Sequence, residues 1–374
     1  MSTHHPGPSI PPRSQMERVL SLYRLKGKRD DSDSFSNQEP LQCAPWARGA
    51  YGGQLVAQSL LAAYETVPSH FAAHSIHCHF LRAADVDMAI IYHVYRVRDG
   101  KSFATRVISA TQGHRVILSA TASFTQDTET SSKKLKHAAS MPLNVPCPDD
   151  RPEAVVTQSA AGQGGHGRPC DCVRSVSETR GRPSERRLRQ WTRARGRMGD
   201  TTPLVVDADM AETQSANTDP SPRDNHHAHL AALTYITDNY FIGTVFRVHN
   251  ASRFSSPSTP HAMLSTPRGN FADIETLQAY FDALVEEEKS DNREALKNDK
   301  RVEMMVTLDH TIFFHRPRGF RADDWLLSEM ESPWADDERG VVVQRIWSRH
   351  GTLVATAIQE GIVRLSQNEG ESRL

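Results

Sequence analysis

The fold is decided by one apolar stretch with a glycine pair near its start, Ala50-Tyr-Gly-Gly-Gln-Leu-Val-Ala-Gln-Ser-Leu-Leu-Ala-Ala-Tyr-Glu-Thr-Val67. Its large apolar residues recur at the three- and four-residue spacing of a helix. Alanine occupies much of the remaining surface, which favours close packing on more than one side. Pro68 predicts the end of the helix. We therefore expect a buried helix at the centre of a domain.

Strand-like segments follow this helix. Asp99-Gly100 and Gln112-Gly113 are tight-turn signals between successive strands. A buried helix followed by long antiparallel strands is an α+β pattern, and a sheet that curls round such a helix is the hot-dog arrangement. The predicted strands are 74–82, 89–98, 102–111 and 115–126.

The second half of the chain repeats this order. A second apolar helix is predicted over 227–245, and strands return at 302–315, 324–331, 340–349 and 352–365. The last hairpins are alike, since Ala120-Thr-Ala-Ser-Phe124 matches Ala355-Thr-Ala-Ile-Gln359. We infer an internal duplication and predict a double hot-dog, in which two antiparallel sheets each wrap round a central helix. In this match Phe124 of the first half corresponds to Gln359 of the second half. We therefore expect polar catalytic residues in the second half only.

The domain boundaries follow from composition. Residues 1–135 are expected to form an N-terminal hot-dog domain, of which 1–15 are disordered. Residues 136–180 are rich in polar residues, proline and glycine, and are expected to form a linker. The C-terminal hot-dog domain is expected over 181–374, with an insertion at 249–300.

Composition and motifs exclude several classes of protein. Lys plus Arg (44) nearly equals Asp plus Glu (45), which gives no overall attraction to nucleic acid or an anionic membrane. Five cysteines at irregular spacing predict free thiols and a reducing compartment, with no zinc site. No apolar run reaches the roughly 18 residues of a membrane span. The G-x-S-x-G, P-loop and Rossmann motifs are absent, so we expect neither serine hydrolysis nor a nucleotide cofactor.

Three residues are candidates for catalysis. Asp238 stands among apolar helix residues, where burial would raise the pKa of a carboxylate and suit it to a base; the alternative is a helix cap. Gln359 can donate to and accept from one water, or be an ordinary core glutamine. Thr307 is by itself an ordinary strand residue. Strand alternation predicts that Asp309 shares a face with Thr307 while His310 does not, so His310 is interpreted as structural.

Other residues allow binding interpretations. His74-Ser-Ile-His-Cys-His79 could hold a metal, but lacks a third ligand, so surface histidines are the preferred interpretation. The arginines of 180–197 could bind nucleic acid or, more simply, the phosphates of a small molecule. Gly53, His74 and Arg189 are candidates for substrate binding.

Several motifs resemble one known family. Tyr51-Gly-Gly-Gln-Leu-Val-Ala-Gln-Ser-Leu60 and Arg98-Asp-Gly-Lys-Ser-Phe103 are similar to the N-terminal half of the type II acyl-CoA thioesterases. Thr307-Leu-Asp-His-Thr-Ile-Phe-Phe-His-Arg-Pro317 and Ile358-Gln-Glu-Gly-Ile362 are similar to the closing motifs of that family. The resemblance covers most of 45–126 and 184–365. It implies a double hot-dog and hydrolysis of fatty or polyketide-like acyl-CoA to free acid and CoA.

The resemblance also implies roles for residues. By motif, the water-holding Asp, Thr and Gln of the family fall on Asp238, Thr307 and Gln359, and the water attacks without an acyl-enzyme. Another hot-dog reaction on an acyl thioester, such as dehydration or acyl transfer, or acyl-CoA binding without hydrolysis, remains the alternative.

The last residues carry a possible address. Ser372-Arg373-Leu374 is a variant of the Ser-Lys-Leu peroxisomal signal, whose partner would be the peroxisomal import receptor; the alternative is a disordered tail in a cytoplasmic protein. A homo-oligomer is possible.

Overall fold

The structure is a computed structural model that describes residues 13–26, 33–44, 47–126, 135–150, 169–175, 181–200, 203–208, 225–254, 274–291 and 300–366. The helices are α1 (Gln15–Leu20), α2 (Gly52–Tyr64), α3 (His226–Thr237), α4 (Gly243–Val248) and α5 (Ile274–Asp291). The strands of the first half are β1 (Leu22–Leu25), β2 (Asp33–Asn37), β3 (Phe71–Phe80), β4 (Ile91–Asp99), β5 (Phe103–Gln112) and β6 (Arg115–Gln126). Those of the second half are β7 (Cys170–Arg174), β8 (Leu188–Ala194), β9 (Val205–Asp207), β10 (Val302–Thr307), β11 (Asp309–Phe314), β12 (Leu326–Asp336), β13 (Arg339–Ser348) and β14 (Leu353–Leu365).

Two buried helices form the centre of the molecule, as the duplication predicts. Nearly every residue of α2 and α3 is buried, because each helix packs on a sheet and on the other helix. Alanines allow this close approach, and the leucines of both helices belong to one continuous apolar core. The α+β double hot-dog is therefore confirmed.

The sheets differ from the prediction in one respect. Instead of two separate sheets, the described strands form one sheet in the order β7-β8-β12-β13-β14-β11-β3-β6-β5-β4-β2-β1-β9, with β10 also paired to β14. The halves join where β3 and β11 pair antiparallel, with His77 opposite Thr311. We call the face of this sheet that packs on α2 and α3 the inner face.

The expected linker and the expected insertion both contain ordered elements. β7 pairs with β8 at the edge of the sheet. Val145 joins a buried cluster with Trp191 and Trp325, and the indole of Trp347 donates to the carbonyl of Ala139. Parts of 136–180 therefore pack on the second half. The insertion contributes α5, and no described helix is both long and apolar enough to cross a membrane.

A one-residue irregularity between β10 and β11 determines which side chains face inward. Thr307 lies opposite Gly361 on β14, yet Thr311 lies opposite Ile358. Three residues, 308–310, therefore face only two, 359–360, which is a β-bulge. The carboxylate of Asp309 accepts the backbone N–H of Glu360 at 3.0 Å and satisfies a donor that the bulge displaces.

Candidate active site

Asp238 is the residue immediately after α3, where the chain turns away from the helix. Its side chain is only 9% exposed, because α3 is buried along its length and Tyr240, at φ 60°, reverses the chain directly afterwards. Both carboxylate oxygens are hydrogen-bonded. Oδ2 accepts from the backbone N–H of Gly53 at 2.8 Å, and Oδ1 accepts from the side-chain amide of Gln359 at 2.7 Å.

The partner at Gly53 belongs to the start of α2, in the other half of the chain. Tyr51 precedes this helix without giving it a side-chain cap, and the carboxylate of Asp238 takes that role by accepting the N–H of the second helical residue. The positive end of the helix dipole also favours a negative charge there. Glycine is required at this contact, since a Cβ at Gly53 would stand 2.6 Å from the carbonyl oxygen of Tyr235.

The protonation of Asp238 is set by two opposing effects. Burial raises the pKa of its carboxyl from the ordinary 3.8 to about 6, and the hydrogen bonds from Gln359 and Gly53 reduce that rise. The carboxylate is therefore ionised at neutral pH, yet it binds a proton far more readily than an exposed aspartate. This is the range in which general-base catalysis is efficient.

Gln359 is on the inner face of β14, opposite Val342, and is fully buried. Its Nε2 donates to Asp238 and lies 3.3 Å from Nδ1 of His310. Its Oε1 is buried and has no hydrogen-bond partner among the described residues. A buried acceptor without a partner is costly, so this oxygen is available to a water or a substrate group that can donate.

His310 is in the site, contrary to the interpretation from strand alternation. The β-bulge shifts the register by one residue, so Thr307 and His310 both point to the inner face and Asp309 points to the other. The imidazole is fully buried. Burial lowers its pKa to about 3, so the ring is neutral. Its Nδ1 lies 3.8 Å from Oδ1 of Asp238, and because the ring is neutral this is no ion pair.

Thr307 lies on the same face of the sheet as Gln359. It is opposite Gly361, which is two residues from Gln359 along β14. The side chain is half-buried, and no hydrogen bond joins its hydroxyl to another described residue. The pairing with Gly361 therefore puts the hydroxyl of Thr307 on the inner face, diagonal to Gln359 on the neighbouring strand.

Two other candidates lie away from this site. His74 bonds to the hydroxyl of Ser123 at 2.8 Å, on the opposite face of the sheet from Gln359. Arg189 is opposite Glu329 on that same outer face and donates to its carboxylate at 2.7 Å. Both residues therefore lie on the face of the sheet opposite Gln359, and their roles in substrate binding stay predictions. No described group of three or more His, Cys, Asp or Glu side chains could hold a metal.

The fold and the site together define a class of protein. A double hot-dog with a buried, hydrogen-bonded carboxylate of raised pKa, next to a side-chain amide and a hydroxyl, is a hot-dog enzyme equipped for acid–base chemistry. Two family models match the chain: an acyl-CoA thioesterase N-terminal domain over residues 42–125 and an acyl-CoA thioesterase C-terminal domain over 215–363. The chain belongs to the acyl-CoA thioesterase family and is a thioester hydrolase.

Individual relatives agree with this family. The chain is 30% identical over 347 residues to acyl-coenzyme A thioesterase 8 of Mus musculus, covering 88% of this chain and 85% of the relative. It is 33% identical over 130 residues to peroxisomal acyl-coenzyme A thioester hydrolase 1 of Saccharomyces cerevisiae, or 34% of this chain and 36% of the relative. The crystal structure of an acyl-CoA thioesterase II from Mycobacterium marinum matches with a TM-score of 0.58 at 23% identity, covering 94% of this chain and 98% of that one. At that identity the match supports the fold alone.

Proposed function

We propose that this thioesterase hydrolyses fatty acyl-CoA through one water, with Asp238 as the general base and with Thr307 and Gln359 holding the water. The observation that carries the proposal is the buried Asp238 carboxylate, hydrogen-bonded by Gln359 and Gly53, whose pKa is about 6. Oε1 of Gln359 is a buried acceptor without a partner among the described residues, and the hydroxyl of Thr307 lies on the same face of the sheet, opposite Gly361. These are the groups a water needs in order to be oriented.

The reaction proceeds in two stages at this site. Asp238 takes a proton from the water as the water oxygen forms a bond to the thioester carbonyl carbon, and the carbonyl oxygen gains the negative charge. When the C–S bond breaks, the electron pair leaves with the sulfur of CoA, and the proton on Asp238 can pass to that thiolate. The products are the free acid and CoA, and Asp238 is returned to its ionised state.

The start of α2 also limits the choice of oxyanion donor. The N–H of Gly53 is the natural group at a helix N-terminus for binding developing negative charge. It is already donated to Asp238 at 2.8 Å. We therefore assign Gly53 to holding the base and not to binding the carbonyl oxygen.

The test is hydrolysis of a panel of acyl-CoAs from short to long chain, measured as released thiol without an added acceptor. Asp238→Asn keeps the size of the side chain and removes the base, so kcat should fall by about 10²- to 10⁴-fold. Asp309→Asn is the matched control, because Asp309 lies on the opposite face, where its carboxylate accepts the backbone N–H of Glu360. Full kcat in Asp238→Asn would contradict the proposal, and stoichiometric acyl-CoA binding without turnover in the wild type would favour a binding protein.

We further propose that the protein is imported into peroxisomes through Ser372, Arg373 and Leu374, with the import receptor as partner. The support is the similarity of this tripeptide to Ser-Lys-Leu and the peroxisomal yeast relative; the tripeptide lies outside the described residues. A fluorescent full-length protein should be punctate and should coincide with a peroxisomal marker. Removing the last three residues should make it diffuse, and an unchanged pattern would refute the signal.

A further inference from the structure

We propose that His310 is a positioning residue: its Nδ1 holds the side-chain amide of Gln359 in the single orientation that turns Nε2 toward Asp238 and leaves Oε1 for the water. The inference rests on the proposed function, since it assumes that Gln359 serves the water activated by Asp238. It adds His310 to the site, although strand alternation predicted that this residue lies on the other face of the sheet.

The tautomer of His310 follows from a chain of hydrogen bonds. The hydroxyl of Thr237 donates to the carbonyl of Thr234 at 2.7 Å, so toward His310 it can only accept. It lies 3.2 Å from Nε2 of His310, which must therefore carry the ring proton. Because the ring is neutral, Nδ1 has a lone pair and no proton. Nδ1 can then only accept, and its partner at 3.3 Å is Nε2 of Gln359.

A glutamine amide needs such a restraint because its two ends are nearly the same size. Rotation by half a turn exchanges the oxygen and the nitrogen without a steric penalty. Ionised Asp238 opposes the exchange, since its Oδ1 is 2.7 Å from the amide nitrogen and would repel an oxygen there. During turnover, however, Asp238 takes up the proton of the water. A protonated carboxyl can donate to an amide oxygen, so this restraint disappears in the middle of the reaction.

His310 supplies a restraint that does not change with the protonation of Asp238. Its lone pair at Nδ1 repels an amide oxygen in both states of the carboxyl. Burial keeps the ring neutral by lowering its pKa. The ionisable groups that face it are Asp238 at 3.8 Å and the thiol of Cys78, which donates to the carbonyl of His310. Burial raises the pKa of that thiol, so it stays uncharged. Of these two neighbours, only Asp238 changes its charge during the reaction.

The decisive test is a double-mutant cycle on kcat with His310→Leu, Gln359→Leu and the double variant. If His310 acts through Gln359, His310→Leu should lower kcat by up to about 100-fold in the wild type and by less than about twofold when Gln359 is already leucine. KM should change little, because His310 is buried beneath the site. Equal loss in both backgrounds would overturn the proposal, as would an unchanged kcat in His310→Leu.

Two further variants separate positioning from packing. His310→Asn places an amide oxygen near the position of Nδ1, so it should recover most of the kcat that His310→Leu loses. Ile312→Ala is the matched control, since Ile312 is a fully buried neighbour on the same strand and face; it should lower stability and leave kcat per folded molecule unchanged. If His310→Asn is no better than His310→Leu, His310 is only a packing residue.

A spectroscopic measurement keeps the proposal testable even if His310→Leu does not fold. In protein labelled with ¹⁵N-histidine, the His310 signals, assigned by their loss in His310→Asn, should show a protonated Nε2 and an unprotonated Nδ1 from pH 5 to 8, because the buried ring does not titrate there. A proton on Nδ1 would overturn the proposal while leaving the proposed function intact. Full activity in Asp238→Asn would instead overturn the function itself.

Discussion

The backbone N–H of Gly53 donates to Oδ2 of Asp238 over 2.8 Å, although the two residues are 185 positions apart and belong to different halves of the duplicated chain. The first half thus supplies the start of a helix, and the second half supplies the carboxylate that caps it. The position of the first half that corresponds to Gln359 holds the apolar, fully buried Phe124. The first half nevertheless remains part of the one site, because it holds the base.

The raised pKa of Asp238 predicts the pH dependence of activity. Below pH 6 the carboxyl is protonated and cannot accept the proton of the water, so kcat/KM should fall by about tenfold for each further pH unit. Above about pH 7 it should be level until another group titrates. Steady-state kinetics from pH 4.5 to 8.5, with structure monitored by circular dichroism, checks this. A kcat/KM that stays level down to pH 4.5, as an ordinary aspartate with a pKa of 3.8 would give, would show that the base is not Asp238.

The same pKa predicts an effect of opposite sign on stability. Since the folded state raises the pKa of Asp238 from 3.8 to about 6, its contribution to stability is fully present below pH 3.8 and is lost as pH rises through 6. The loss corresponds to about 3 kcal/mol. Asp238→Asn removes it, so the free energy of unfolding by urea should exceed that of the wild type at pH 8 but not at pH 4. A variant less stable than the wild type at pH 8 would contradict this.

Gly53→Ala should disturb the base without removing it. The added methyl group would stand 2.6 Å from the carbonyl oxygen of Tyr235 and from the ring of Tyr51, so the start of α2 must move away from α3. We expect a loss of about 1–3 kcal/mol in stability together with a lower kcat. Gly319→Ala is the control, because Gly319 is exposed and the atoms nearest to a Cβ added there all belong to Arg316, outside α2. Urea unfolding and thiol release measure both effects, and a wild-type kcat in Gly53→Ala would refute this role.

The hydroxyl of Thr307 should matter for activity and not for stability. Thr307→Val keeps the shape of the side chain but cannot bind the water, so kcat should fall by about 10- to 100-fold, while Thr307→Ser should stay close to the wild type. Thr311→Val is the matched control: Thr311 is on the same sheet, but its hydroxyl bonds to the exposed His77 on the outer face. Equal kcat in Thr307→Val and Thr311→Val would remove Thr307 from the site.

The sequence predicts the elements well, because their signals are local. The apolar periodicity of α2 and the turn signals Asp99-Gly100 and Gln112-Gly113 correspond to a helix and two hairpins in the structure, whereas the single helix predicted over 227–245 is divided into α3 and α4, with Asp238 in the break. The junction of β3 and β11 is not local, since it depends on two edges that meet only in the folded chain. No short sequence pattern specifies which edges will pair.

The prediction of single site residues from the sequence is limited in the same way, because it too depends on non-local strand pairing. Asp238 and Gln359 could be singled out as polar residues in apolar surroundings, and the structure brings them into contact. His310 could not, because alternation assumes a regular strand and the bulge at 308–310 reverses the direction of every side chain beyond it. The one available sequence signal for this bulge was Leu308-Asp309, because the carboxylate of an aspartate can accept a backbone N–H that a bulge displaces. Such an aspartate is too common in strands to predict a bulge by itself.

The pairing of β3 with β11 also has a consequence for synthesis of the protein. His77 and Thr311, neighbours across that junction, are separated by 234 positions, and a ribosome adding about 5–20 residues per second leaves an interval on the order of tens of seconds between them. During that time the backbone donors and acceptors along one edge of β3 have no strand to pair with. A bare edge invites pairing with other chains. His77 and His79, both polar and exposed on this strand, make that edge a poor template for aggregation while the nascent chain waits for its second half.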